Sequence, residues 1–107
     1  MANTFMGKGY PVTASSAAAL TAGGSETIML LGVTIANVHA TDACWVTADV
    51  IRSGSNDSEL AHQVSIPVND SLDLLQGKVV LNSGEVLKLQ AEAGLKLEAS
   101  LSYLVQT

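Results

Sequence analysis

The amino-acid sequence predicts a single all-β domain, an antiparallel β-sandwich of Greek-key or jelly-roll connectivity, with an N-terminal arm. Three observations predict it. Apolar and polar residues alternate with the period of two that marks a half-buried strand. Turn-forming residues recur every 8 to 12 positions or so, the spacing of short antiparallel strands. No stretch sustains a 3.6-residue apolar period over the length of a helix. The 107 residues are enough for one core of ordinary domain size but not for two. The arm is assigned to 1–25 and the sandwich to 26–107.

The arm, with its run "TASSAAALTAGG", is rich in small residues, nearly uncharged and without a decisive period. Such a segment has no core of its own and orders only against another surface, either as a reaching arm or as an edge strand followed by a loop. Phe5, Met6 and Tyr10 are its large apolar groups and therefore its candidate anchors. The stretch "LLGVTIANVHATDACWVTADVI" then supplies two β-branched runs, read as strands over 27–37 and 43–51 and joined by a short polar loop. In the second, Cys44, Val46, Ala48 and Val50 share one face, so Trp45 shares the other with Thr47, Asp49 and Ile51.

After the polar loop "RSGSNDSE" come a strand over 60–66, a turn at Asn69 and Asp70, and a short strand over 72–75. Pro67 has no amide proton and belongs at a strand end or an edge. Asn82, Ser83 and Gly84 make a tight turn between strands at 79–81 and 85–90. The segment "GEVLKLQAEAGLKLEASL" has helix-forming content, but Gly84 and Gly94 bracket its first half. From Leu95 to Val105 the alternation of Leu95, Leu97, Ala99, Leu101, Tyr103 and Val105 with mostly polar residues is a strand pattern.

Composition narrows the function. Apolar residues make up 48% and charged residues only 14%, against roughly 25% in an ordinary soluble domain. Desolvating such a neutral surface costs little, which suits a protein packed against others. Five scattered Lys and Arg in a chain of net charge −5 cannot build the clustered basic groove that nucleic acid requires. The longest apolar stretch is interrupted by Gly32, Thr34, Asn37 and His39 and falls short of a membrane span, and the start lacks the pattern of a secretory signal. One cysteine permits neither an intrachain disulfide nor a thiolate metal cluster, in keeping with a reducing cytoplasm. Cys44 reads as a small buried hydrophobe.

The residues predict no catalytic or ligand-binding chemistry. His39 lies in a loop with Asp42, and His62 falls in the alternation of Leu60, Val64 and Ile66, so it reads as a partly covered strand residue. A triad drawn from His39, Asp42 and a serine lacks a nucleophile elbow. Asn56, Asp57 and Glu59 lack the every-second-residue oxygen ligands of a calcium loop, and neither Gly23-Gly24 nor Gly77-Lys78 is a phosphate cradle. No cofactor or metal is expected. Many sandwich domains bind carbohydrate, but the chain has only Phe5, Tyr10, Trp45 and Tyr103 to offer as stacking platforms. Trp45 reads either as an anchor for a protein interface or as a ring folded over a sheet edge to cover its own subunit.

The order of "LLGVTIANVHATDACWVTADVI" and "VSIPVNDSLDLLQGKVVLNSGEVLKLQAEAGLKLEASLSYLV" resembles the small β-sandwich virion proteins of tailed bacteriophages, over about residues 27–107. The resemblance implies a non-enzymatic structural role: a capsid cement or decoration protein, or a neck or tail component. It also implies contacts with the major capsid protein or other virion proteins, a symmetric homo-oligomer such as a trimer, and synthesis in the host cytoplasm before incorporation into the particle.

Overall fold

In the computed structural model, which describes residues 3–38, 41–53, 56–75, 78–92 and 97–107, the chain is one long antiparallel hairpin rolled up on itself. Asn3 pairs with Gln106, Ala17 with Leu89, Ile28 with Leu81 and Cys44 with Ile66, so the numbers of partners add to between 106 and 110 at every level. The loop after Ile51 is the tip of that hairpin.

The strands are β1 (Asn3–Val12), β2 (Ala17–Thr21), β3 (Thr27–Ala36), β4 (Cys44–Ile51), β5 (Ser58–Ile66), β6 (Ser71–Asp73), β7 (Val79–Leu81), β8 (Val86–Ala91) and β9 (Leu97–Gln106). Rolling divides them between two sheets. The first has the order β1-β9-β3-β6, with β7 also against β3, and the second has the order β2-β8-β4-β5. Because β6 and β7 pair with opposite ends of the same side of β3, they act as one interrupted strand. Two four-membered sheets joined by nested pairs of this kind are a jelly roll. The all-β sandwich predicted from alternation is the observed architecture.

The core lies between the sheets. Val46, Val50, Leu87 and Leu89 of one sheet face Ile28, Leu30, Val33, Ile35, Leu97 and Leu101 of the other, all buried. Burying each such side chain contributes about 1.5–3 kcal/mol, offset by chain entropy. Cys44 is fully buried, as its alternation with Val46, Ala48 and Val50 predicts, and burial raises its thiol pKa.

Most strand boundaries agree with the sequence reading to within a residue or two, and 79–81 coincides with β7. The turn residues behave as their chemistry requires: Gly84 has φ of 83° and Asn69 of 57°, both left-handed. Gly94 and Leu95 lie outside the described residues.

One open alternative is decided and one expectation needs correction. The first 25 residues do not form a separate arm: β1 and β2 are the outermost strands of the two sheets, the edge-segment alternative. Val12, Ala19, Leu20 and Ala22 contribute to the common core, which is why this segment orders. His62 is exposed rather than partly covered. A bulge opposite Thr47 puts Gln63 at φ of 49° and breaks the alternation of β5, turning His62 toward Glu59, whose carboxylate lies 2.9 Å from its Nδ1.

The loops gather at the two ends of the roll. At one end Asn37, itself buried, donates from its side-chain amide to the carbonyls of Asp42 and Ile66, both at 2.9 Å, and its backbone N–H donates to Asp70. At the other end the buried Glu85 carboxylate accepts from the Arg52 guanidinium at 2.8 Å and from the backbone N–H groups of Ser53 and Asn82 at 3.0 Å. Those three donors, with the Ser53 and Asn82 amides foremost, hold its pKa down at about 2.

Candidate functional site

The two outer faces of the roll differ in kind. On the second sheet the outward residues include Asp49, Lys88 and Glu59, with Trp45 beside Ser65. Asp49 and Glu59 face each other across β4 and β5, and one Asp49 oxygen is buried with no hydrogen-bond partner among the described residues. Desolvation first, and then the Glu59 charge, raises the Asp49 pKa. The charges at its centre make this face costlier to cover, although Ile51 and Val86 form an apolar pair at one end of it.

On the first sheet, next to a polar outward row of Asn3, Gln106 and Thr27 at the chain ends, the following outward row is apolar from edge to edge. Phe5 pairs with Leu104, Leu104 with Met29 and Met29 with Val80, so four strands each contribute one apolar side chain to a single transverse row. A bulge in β3 between Leu30 and Gly32 inserts Leu31 beside it, and Leu31, Val80 and Phe5 are 39%, 38% and 75% exposed. Beyond the row the outward positions of β1 and β9 are Gly7, Gly9, Pro11, Ser102, Ser100 and Glu98. Small, mostly uncharged residues thus extend the apolar row into a face that is cheap to desolvate.

The predicted anchors are placed as follows. Phe5 lies in the apolar row. Met6, on the inward row of β1 opposite Tyr103, is still 44% exposed. Tyr10 is half-buried and packs on the core. These three share β1, whereas Trp45 is half-buried on a central strand of the other sheet, so the four do not form one surface. Leu104, Met29, Leu31 and Val80 were missed because they come from three apolar runs distant in sequence, and only the strand order aligns them. A signal for part of the row does exist: Leu104 is the one large apolar residue among the polar positions of the last strand.

Other candidate chemistry is dispersed. His39 lies outside the described residues, as do part of the loop after Arg52 and Gly77. Asp57 accepts the Arg52 backbone N–H at 2.8 Å. Among the described residues no group of three or more His, Cys, Asp or Glu is placed to hold a metal ion, and no helix is long and apolar enough to cross a membrane. An open hollow of about 410 Å³ is lined by Ala36, Asn37, Val38, Asn69, Asp70 and Ser71, but its polar groups serve the turn: the Asp70 N–H donates to Pro67 and its carboxylate accepts from Ser71.

Comparison with protein-family models, curated proteins and solved structures finds no match.

Proposed function

We propose that this chain is a non-enzymatic structural protein of a phage virion, a cement or decoration protein that stabilises the shell by covering neighbouring subunits. The observation that carries the reading is the outer face of the first sheet, an apolar row of Phe5, Leu104, Met29 and Val80 bordered mostly by small or uncharged residues, with Glu98 and Asp73 at the far end. Faces of this kind are uncommon on proteins that act alone and mark contact surfaces. A rigid two-sheet body with short loops also suits a part used in many copies. The resemblance of residues 27–107 to small phage virion sandwiches points the same way.

A carbohydrate-binding module is less well supported. Tyr103 is buried in the core, and Phe5 and Trp45 stand on opposite sheets, so no two of these three can stack on one sugar chain. The test is to add purified protein to shells of the encoding phage that lack it. The expected result is saturable binding with a raised shell melting temperature, reduced at least tenfold by Phe5→Glu or Met29→Glu. Binding confined to necks or tails would relocate the protein within the particle, and failure to bind any part of the particle would overturn the proposal.

A further inference from the structure

The roll has four sheet edges, and three are closed to further pairing by their shape. β6 and β7 are three residues each, β2 is five residues with an irregular register, and β5 is bulged at Gln63. Short or bulged edges are how sandwiches prevent strand addition. β1 is the exception: ten residues in unbroken register with β9 and, among the described residues, no strand paired on its other side.

Its outward residues read Asn3, Phe5, Gly7, Gly9 and Pro11, with one large apolar side chain followed by two positions with none. Two such strands laid antiparallel with Gly7 opposite Gly7 place each Phe5 opposite the Gly9 of the other copy. An aromatic ring over a cross-strand glycine is a favoured pairing. Gly9 is prepared for it, since a Cβ there would meet nothing within 4 Å and a hollow of about 320 Å³ is lined by Gly9, Tyr10, Pro11, Glu98 and Ala99. Phe5, 75% exposed, is the protruding group of matching chemistry. The inward residues agree with the same register, which sets Thr4 opposite Tyr10 and Met6 opposite Lys8.

Neighbouring registers fit less well. Centring on Lys8 opposes two like charges, and centring on Met6 sets Asn3 against the hollow and leaves Phe5 facing Gly7. Charge also favours a second copy at this edge. Each chain carries −5, yet β1 holds a single charge, the Lys8 cation, so two acidic bodies meet here with least repulsion. Lys8 does not guard the edge: its ammonium donates to the Ala19 carbonyl at 2.7 Å and lies 5.8 Å from the centre of the Tyr10 ring.

We infer that β1 is a homodimer interface, in which the β1 strands of two copies pair antiparallel about a two-fold axis at Gly7, each Phe5 seats over the other copy's Gly9, and the first sheets join into one. An isologous pairing of this kind closes at two and leaves no edge for a fibre. It rests on the shape of β1 and not on the virion reading, so the two can fail separately.

The test uses the full chain. Gly7→Cys puts two thiols across the axis with Cα atoms roughly 4.5–5.5 Å apart, within disulfide range. The added Cβ is tolerated, its nearest contact being the Leu101 carbonyl at an ordinary 3.9 Å, and native Cys44 is fully buried and does not compete. Expected are a two-chain mass for wild type by sedimentation equilibrium, rapid and complete cross-linking of Gly7→Cys under mild oxidation, and none for Gly24→Cys. Phe5→Glu, at an exposed position that leaves the fold intact, raises the dimer dissociation constant at least tenfold. A one-chain or three-chain mass for wild type, or a Gly7→Cys thiol that stays reduced, would overturn the inference.

Discussion

Replacing Asn37 by alanine tests whether one buried amide holds one end of the roll together. Its side-chain NH₂ reaches the carbonyls of Asp42 and Ile66, both at 2.9 Å, and so ties the chain following β3 to the strand that ends at Ile66. Alanine removes both bonds and leaves the Ile66 carbonyl facing a void, since Ile66 is itself buried. Two hydrogen bonds at about 1 kcal/mol each, plus a desolvation penalty of up to about 2 kcal/mol for the stranded acceptor, give a loss of about 2–4 kcal/mol. The lower figure applies where water enters from the hollow that Asn37 lines, the upper where it does not. For a domain of this size that is a fall in Tm of roughly 10–25 °C. Thermal and urea unfolding followed by circular dichroism give the number, with an unchanged urea slope showing that the same surface is exposed. Asn37→Asp sharpens the test: nearly the same shape, but an acceptor set against two acceptors, so it should be worse than alanine. A loss under about 1 kcal/mol for Asn37→Ala, or Asn37→Asp better tolerated than alanine, would refute the reasoning.

The remaining expectations concern the other end, the core and the turns. Glu85 has a folded pKa of about 2 against an ordinary 4.5, so its contribution to stability is full above about pH 4.5 and is lost as pH falls from there toward 2. The unfolding midpoint of wild type should drop across that window, whereas Glu85→Gln should start lower and change less there. Leu101→Ala, at a fully enclosed site, should cost about 2–5 kcal/mol by urea unfolding. Gly84→Ala should cost about 1 kcal/mol through its left-handed backbone alone, because a Cβ there meets nothing within 4 Å. Cys44 should resist a thiol reagent in native protein and react promptly in denaturant, since burial both shields it and disfavours the thiolate.

Period-two alternation made the strands legible wherever one face is dry and the other wet. The buried set of β4 is read directly from Cys44, Val46, Ala48 and Val50, and the inward row of β9 from Leu97, Ala99, Leu101 and Tyr103. Turn chemistry located Asn69 and Gly84. Bulges escaped, because an inserted residue leaves composition unchanged: Leu31 and Gln63 look like ordinary strand members until their partners are counted. The small-residue character of 13–25 masked β2, since alanines pack in a sheet edge without announcing a period. The structural roles of Glu85 and Asn37 were equally hidden, because a buried polar side chain is specified by loops brought in from distant sequence. For the surface, Phe5 was legible as an anchor, but the row it belongs to exists only once β1, β9, β3 and β7 lie side by side.

The nested pairing also orders events in time. Val50 and Ser58 are eight residues apart, whereas Asn3 and Gln106 are 103 apart, so each outer level closes a longer loop than the one inside it. Closure entropy grows with that separation, and a topology dominated by distant partners folds slowly. A nascent chain that zips outward from its midpoint docks β1 last, and until then β9 waits with one flank bare. A chain whose outermost strand docks last is open to exchange of that strand at high concentration, so slow dilution is expected to refold a larger fraction to native protein than rapid refolding at high concentration.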